Sequence, residues 1–141
     1  KIWGIDTYGS VFKKYHETGK LDKNEIYPYN IEGLGKNLIP SATDFSVIDK
    51  FIKVTDKSSA YSSRLVTKKE GIFVGYTSGA VYQAIIQLND ESYFNNDSNV
   101  VLIFPDHGSR YISKIYNDEW MINQGFFNKK EKNIVHQIEY V

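Results

Sequence analysis

An α/β fold with a largely parallel sheet follows from three features of this sequence. Short apolar runs rich in β-branched residues alternate with segments patterned as helices, glycine-rich or polar turns stand at the joins, and no segment repeats. A parallel sheet of this kind is covered by helices on both faces, so a three-layer arrangement is expected.

The elements follow in order. Residues 2–5 are apolar and read as a buried strand, closed by a turn at Gly9-Ser10. Residues 13–25 are polar and lysine-rich and read as a surface loop that allows a helical turn. Residues 25–31 alternate loosely, as a strand does, and lead into Glu32-Gly33-Leu34-Gly35. Residues 51–54 suit a strand. A helix fits residues 59–69, with Asp56, Ser58 or Ser59 as its cap and Gly71 as its stop. Residues 72–74 form a short apolar run, and a second helix fits residues 80–88. Residues 100–104 are predicted to be a central strand, followed by a third helix near residues 109–116. Residues 1–127 therefore form one predicted domain, and residues 128–141 read as a hydrophilic linker and tail with some strand character.

Composition narrows the classes of function. Hydrophobic residues make up 41% and charged residues 24%, which suits a globular protein. Lysine plus arginine equals aspartate plus glutamate at 17 each, so no global field draws nucleic acid or an anionic membrane, and neither is expected as a partner. Without cysteine, this segment holds no disulfide, thiolate metal site or cysteine nucleophile. No apolar run reaches the roughly 18 residues of a membrane helix. The 11 tyrosines and 8 phenylalanines provide large apolar bodies, many with polar tips. The first residues read as strand with no lead-in, so the chain is expected to be a fragment.

Ligands in open α/β sheets gather where strands give way to helices. Three such junctions stand out: residues 32–35, 75–79 and 105–108. In the second, Thr77 and Ser78 bring hydroxyls to a helix start, either as caps (the commoner use) or as contacts to a cofactor. In the first, Gly33 and Gly35 allow a close backbone approach to a ligand. His16, His107 and His136 have no metal spacing, so no metal is expected. Ser109 lies outside any nucleophile-elbow motif, and no base is evident for it. Asp118-Glu119 read as a solvated helix end.

The same junctions carry a resemblance. Gly4-Ile5-Asp6 with Gly9-Ser10 resembles Gly-Val-Asp-Pro-x-Gly-Ser of the cystathionine β-synthases. Residues 31–40 resemble that family's Val-Glu-Gly-Ile-Gly-x-x-Phe-Ile-Pro, and Val47-Ile48-Asp49 its Val-Val-Asp. Residues 70–80 resemble Glu-Gly-Leu-Leu-x-Gly-Gly-Ser-x-Gly. Pro105-Asp106 and the run from Arg110 to Met121 are similar to a bacterial signature of the family. The blocks keep their order over residues 1–127, so the chain resembles the C-terminal part of a cystathionine β-synthase catalytic domain.

The resemblance implies a partial fold-type-II domain, like the tryptophan synthase β chain, and pyridoxal 5'-phosphate (PLP) as cofactor. It implies β-replacement, with serine losing its β-substituent and homocysteine adding in its place. Cysteine synthase, which uses O-acetylserine and sulfide, is the neighbouring alternative; a non-catalytic binding or scaffold module is another. The resemblance places Thr77 at the pyridine nitrogen and Gly33 and Gly35 at the substrate loop. Lys36-Asn37-Leu38 departs from the family pattern there, at a position that bears on substrate preference. The family's cofactor lysine, its contact asparagine and its phosphate loop lie upstream of the matching blocks. No catalytic residue is therefore expected in this segment, nor covalent attachment of PLP to it. The intact enzyme is expected to be a cytoplasmic homo-oligomer acting on an amino acid. The uncovered part of the sheet is expected to make the isolated chain self-associate.

Overall fold

The computed structural model describes residues 1–127. Two strands, β1 (Trp3–Thr7) and β2 (Lys50–Val54), pair in parallel with Trp3 opposite Lys50 and Thr7 opposite Val54. Four helices follow the strands or join them: α1 (Phe12–Thr18), α2 (Asp56–Glu70), α3 (Tyr76–Asp90) and α4 (Asp118–Asn123). Short 3-10 turns occupy Lys23–Glu25, Phe45–Val47 and Gly108–Tyr111.

The alternation of β2 separates two layers. Ile52 and Val54 join the main core with Ala60, Tyr76, Ala80 and Ala84 of α2 and α3. Phe51 points the other way and stacks with Phe12 and Phe45, 6.0 and 5.9 Å between ring centres. Helices thus flank the parallel pair on both faces, as the α/β reading requires.

Helices α2 and α3 pack closely through small side chains. A Cβ at Gly79 would strike Ser63 and the Ser59 carbonyl. The Ser63 hydroxyl donates to Ser59 O and Gly75 O, both at 3.0 Å, so this dry contact leaves those carbonyls satisfied. Tyrosine tips serve a similar end. Tyr76 donates to Asp56 O at 2.9 Å and Tyr116 to Val74 O at 2.6 Å.

Several elements differ from the sequence reading. The lysine-rich stretch contains helix α1, because Phe12, Tyr15 and His16 share a face against Phe45, and Gly19 closes it in the left-handed conformation. Residues 26–29 form no strand; they cross over Gly9 instead of entering the sheet. Helix α2 starts earlier than predicted, capped by Thr55, whose side chain accepts from Ser58 N at 3.2 Å. The third helix dissolves into the turn at Gly108–Tyr111, and α4 begins only after Asn117, whose side chain accepts from Trp120 N at 3.0 Å.

The largest difference is at residues 100–104. Their exposure alternates as in a strand, with Leu102 and Phe104 partly covered and Val101 89% and Ile103 77% exposed. No strand pairs with them among the described residues. The neighbouring run makes one isolated antiparallel bridge, Val74 to His107. An open groove of about 730 Å³ separates this extended segment from β1, floored by Val81 and Ile85 of α3. The expected tail, residues 128–141, lies outside the described residues. No helix among the described residues is long and apolar enough to cross a membrane.

An unpaired strand edge beside exposed Val101 and Ile103 is a surface that other chains add to. The isolated 141-residue chain is expected to self-associate in sedimentation velocity. Replacing Val101 and Ile103 by lysine is expected to shift it toward monomer. A concentration-independent monomer for the unaltered chain would contradict this.

Candidate functional site

The three junctions meet. A Cβ added to Gly33 would collide with Thr77 Oγ1, so the first junction lies directly on the second. Gly75, Thr77 and Ser78 in turn contact Asp106 of the third. Gly75 N donates to Asp106 O at 2.9 Å, and Thr77 N and Ser78 N donate to the two carboxylate oxygens at 2.9 Å each. The Ser78 hydroxyl adds a 2.6 Å hydrogen bond to Asp106 Oδ1.

This arrangement decides between the two uses of Thr77 and Ser78. Helix α3 begins at Tyr76, four residues before the predicted start, with Gly75 as an N-cap that has no side chain to offer. Capping is supplied from elsewhere in the chain, by the Asp106 carboxylate, which satisfies two orphan N–H groups and complements the helix dipole. The Ser78 hydroxyl is spent on Asp106. The Thr77 hydroxyl is not: residue 77 is 6% exposed, and its buried Oγ1 makes no hydrogen bond of good geometry among the described residues, the Tyr111 phenol being a polar neighbour. An orphaned buried hydroxyl is costly unless something accepts from it. Tyr111 faces both Asp106 and Thr77; burial, and then Asp106, pushes its phenol up to about 12, so it stays protonated.

The glycine loop is built to lie close to these groups. Gly35 has φ of 72°, a left-handed conformation that favours glycine, and a Cβ there would stand 2.7 Å from Ser10 Cβ and 2.8 Å from Thr7 Cγ2. The backbone of Lys36 is tied to the β1 turn: Lys36 N donates to Ser10 Oγ at 3.0 Å, and Val11 N donates to Lys36 O at 3.0 Å. Asp6, fully buried at the end of β1, accepts from Lys13 N at 3.0 Å through Oδ2, while its Oδ1 has no partner among the described residues.

Thr77, Gly33 and Gly35, the residues singled out in the sequence, thus fall in one region. Nothing local in Pro105-Asp106 announces that the Asp106 carboxylate caps a helix 28 residues earlier. His16 and His107 stay apart, and His136 lies outside the described residues. His16 bonds Ile48 O at 2.8 Å. His107 Nδ1 lies 2.9 Å from the Ser109 hydroxyl, giving that serine a neighbour the sequence did not reveal; the imidazole also accepts from Ser109 N and caps the turn. No cluster of metal-ligating residues occurs among the described residues. Asp118 does not stand free at a solvated end; it pairs with Arg64 at 2.7 Å.

The donor set suits a planar heteroaromatic ligand with an unprotonated ring nitrogen. Thr77 offers one neutral hydroxyl, and no carboxylate is bonded to that hydroxyl. Gly33, having no side chain, packs directly against it. The residues present therefore fit one wall of a PLP site.

The electrostatics of Asp106 can be checked by pH. Burial pushes its carboxyl up, but the Ser78 hydroxyl and the N–H groups of Thr77 and Ser78 outweigh this and hold it below 3.8. A carboxyl lowered by folding contributes stability above its unfolded value and loses it as pH falls through the lowered one. Asp56 has the opposite sign: burial raises it, so acid relieves a penalty there. Asp106→Asn is expected to cost on the order of 3 kcal/mol at about pH 7 in urea unfolding, and less in acid below the ordinary carboxylate range. An equal cost in acid would contradict the charge-based account.

Comparison with known proteins agrees with this geometry. A family model described as "Pyridoxal-phosphate dependent enzyme" matches residues 1–106. The cystathionine beta-synthase of Oryctolagus cuniculus is 30% identical over 134 residues, covering 95% of this chain and 23% of its own length. The cysteine synthase of Buchnera aphidicola subsp. Schizaphis graminum is 38% identical over 95 residues, 66% of this chain and 29% of its own. The solved structure of an O-acetylserine dependent cystathionine beta-synthase from Helicobacter pylori is 32% identical, with a TM-score of 0.65, over 83% of this chain and 35% of that one. The chain spans about a quarter of the length of the curated relatives it matches. With the three junctions assembled into one wall, these matches make the chain a member of the pyridoxal-phosphate dependent enzyme family, matching part of a cystathionine β-synthase or cysteine synthase domain.

Proposed function

We propose that this chain is the C-terminal part of the catalytic domain of a cytoplasmic, homo-oligomeric β-replacement enzyme that joins serine to homocysteine, and that it is inactive alone. The buried Thr77 hydroxyl carries this reading, because it is a neutral group with no well-formed hydrogen bond among the described residues, in a family that is pyridoxal-phosphate dependent. When bound, PLP supplies an electron sink at the amino-acid substrate, so that the β-substituent leaves and a thiol takes its place.

The residues of this chain hold and orient. Thr77 would donate to the ring nitrogen and leave it unprotonated. Asp106 would keep Thr77 in place through the first turn of α3. Gly33 and Gly35 would border the substrate, with their backbone anchored to Ser10. In the enzyme that carries this segment, Thr77→Val is expected to lower turnover about a hundredfold, while Thr77→Ser stays within roughly threefold. Equal losses in the two variants would show that the hydroxyl is not the operative group.

Cysteine synthesis is the second reading, supported by the 38% identity to a cysteine synthase over 95 residues. The donor is also open to test, since the related Helicobacter pylori enzyme is described as O-acetylserine dependent. Crossing serine or O-acetylserine with homocysteine or sulfide separates these readings. Cystathionine from serine plus homocysteine is the expected main product. Product only from O-acetylserine plus sulfide would replace this reading with the second.

A further inference from the structure

Lys53 stands apart from the other lysines among the described residues. It leaves β2 on the face opposite the main core, beside Phe51, and its side chain is only 9% exposed. Its ammonium donates to Glu25 Oε2 at 2.6 Å and to Ser10 O at 3.1 Å, and lies 5.5 Å from the centre of the Tyr8 ring. One side chain therefore joins the sheet, the turn after β1 and the crossing segment that contains Glu25.

Each of these leads on toward the site. The segment after Glu25 covers Gly9, where a Cβ would meet Tyr27 O and stand 2.8 Å from the Tyr29 ring. Ser10, fully buried, holds Lys36 N through its hydroxyl while Lys53 holds its carbonyl. Lys36 follows Gly35, and Gly33 lies on Thr77. The chain of contacts runs from Glu25 through Lys53, Ser10 and Lys36 to the glycine loop.

A partly buried ion pair of this kind is a poor source of stability, because desolvation offsets most of the attraction, and it is better suited to fixing one geometry. We propose that Lys53, held by Glu25, is a positioning residue that sets the Gly33–Gly35 loop at the height needed to bind the amino-acid substrate. This rests on the reading that the loop borders that substrate.

The test uses the holoenzyme that carries this segment. Lys53→Met keeps the length of the side chain and removes the ammonium. It is expected to raise KM for the amino-acid donor about tenfold, with kcat within about twofold and cofactor absorption unchanged. Lys53→Arg is expected to recover part of the KM. Glu25→Gln, at the more exposed end of the pair, is expected to raise KM in the same direction by a smaller factor. It decides the matter if Lys53→Met fails to fold. Folded variants with unmoved KM overturn the proposal, as does a matched loss of cofactor occupancy and kcat, which would make Lys53 a general prop. If the unaltered holoenzyme shows no amino-acid-induced change in cofactor absorption, the reading of the site fails, and this inference with it. A normal response in the unaltered enzyme with unmoved variants overturns only the role of Lys53.

Discussion

The site depends on one carboxylate. Asp106 reaches back across the fold to cap helix α3, using both oxygens on the N–H groups of Thr77 and Ser78 and one of them again on the Ser78 hydroxyl. Capping from a distance has a chemical result that a local cap does not. A threonine or serine that caps its own helix spends its hydroxyl on the backbone. Here the duty passes to Asp106 and Ser78, and the Thr77 hydroxyl stays unspent in a buried place. The same contacts join two of the three ligand-facing junctions, so the wall of the site and the start of α3 form together.

The parts of the fold that were legible in the sequence are those governed by local pattern. The parallel pairing of residues 3–7 with 50–54 matches the alternation of apolar runs and helices, and α2 and α3 fall on the segments that carried helical periodicity. Helix α1 was hidden because its lysines mask a narrow stripe formed by Phe12, Tyr15 and His16, which only the later arrival of Phe45 and Phe51 makes visible. Residues 100–104 show the reverse. Their period of two is real, yet a strand is defined by its ladder, and no ladder partner stands beside them among the described residues.

The junctions of the candidate site were legible to a similar depth. Glycines at 33 and 35 and a hydroxyl at 77 are local signals at strand–helix joins; Gly33 packs on Thr77, and Gly35 packs on Ser10 and Thr7. The contacts of Asp106 and Lys53 were not legible, since each reaches across tens of residues of separation and neither stands in a distinctive local setting. Buried polar groups that link distant segments are decided by tertiary geometry, and a single sequence carries little trace of them.

The tight seam between Gly79 and Ser63 has a mechanical consequence. Thr77 sits two residues before that seam, on a helix wedged backbone-to-hydroxyl against its neighbour. To shift this hydroxyl by an ångström, α3 would have to slide along α2 and break the Ser63 bridge to Gly75. The Thr77 side of the candidate site is thus stiff, like the fixed jaw of a vice. On the proposed function, adjustment to substrates of different size would fall to the other jaw, the glycine segment slung between Ile31 and Lys36.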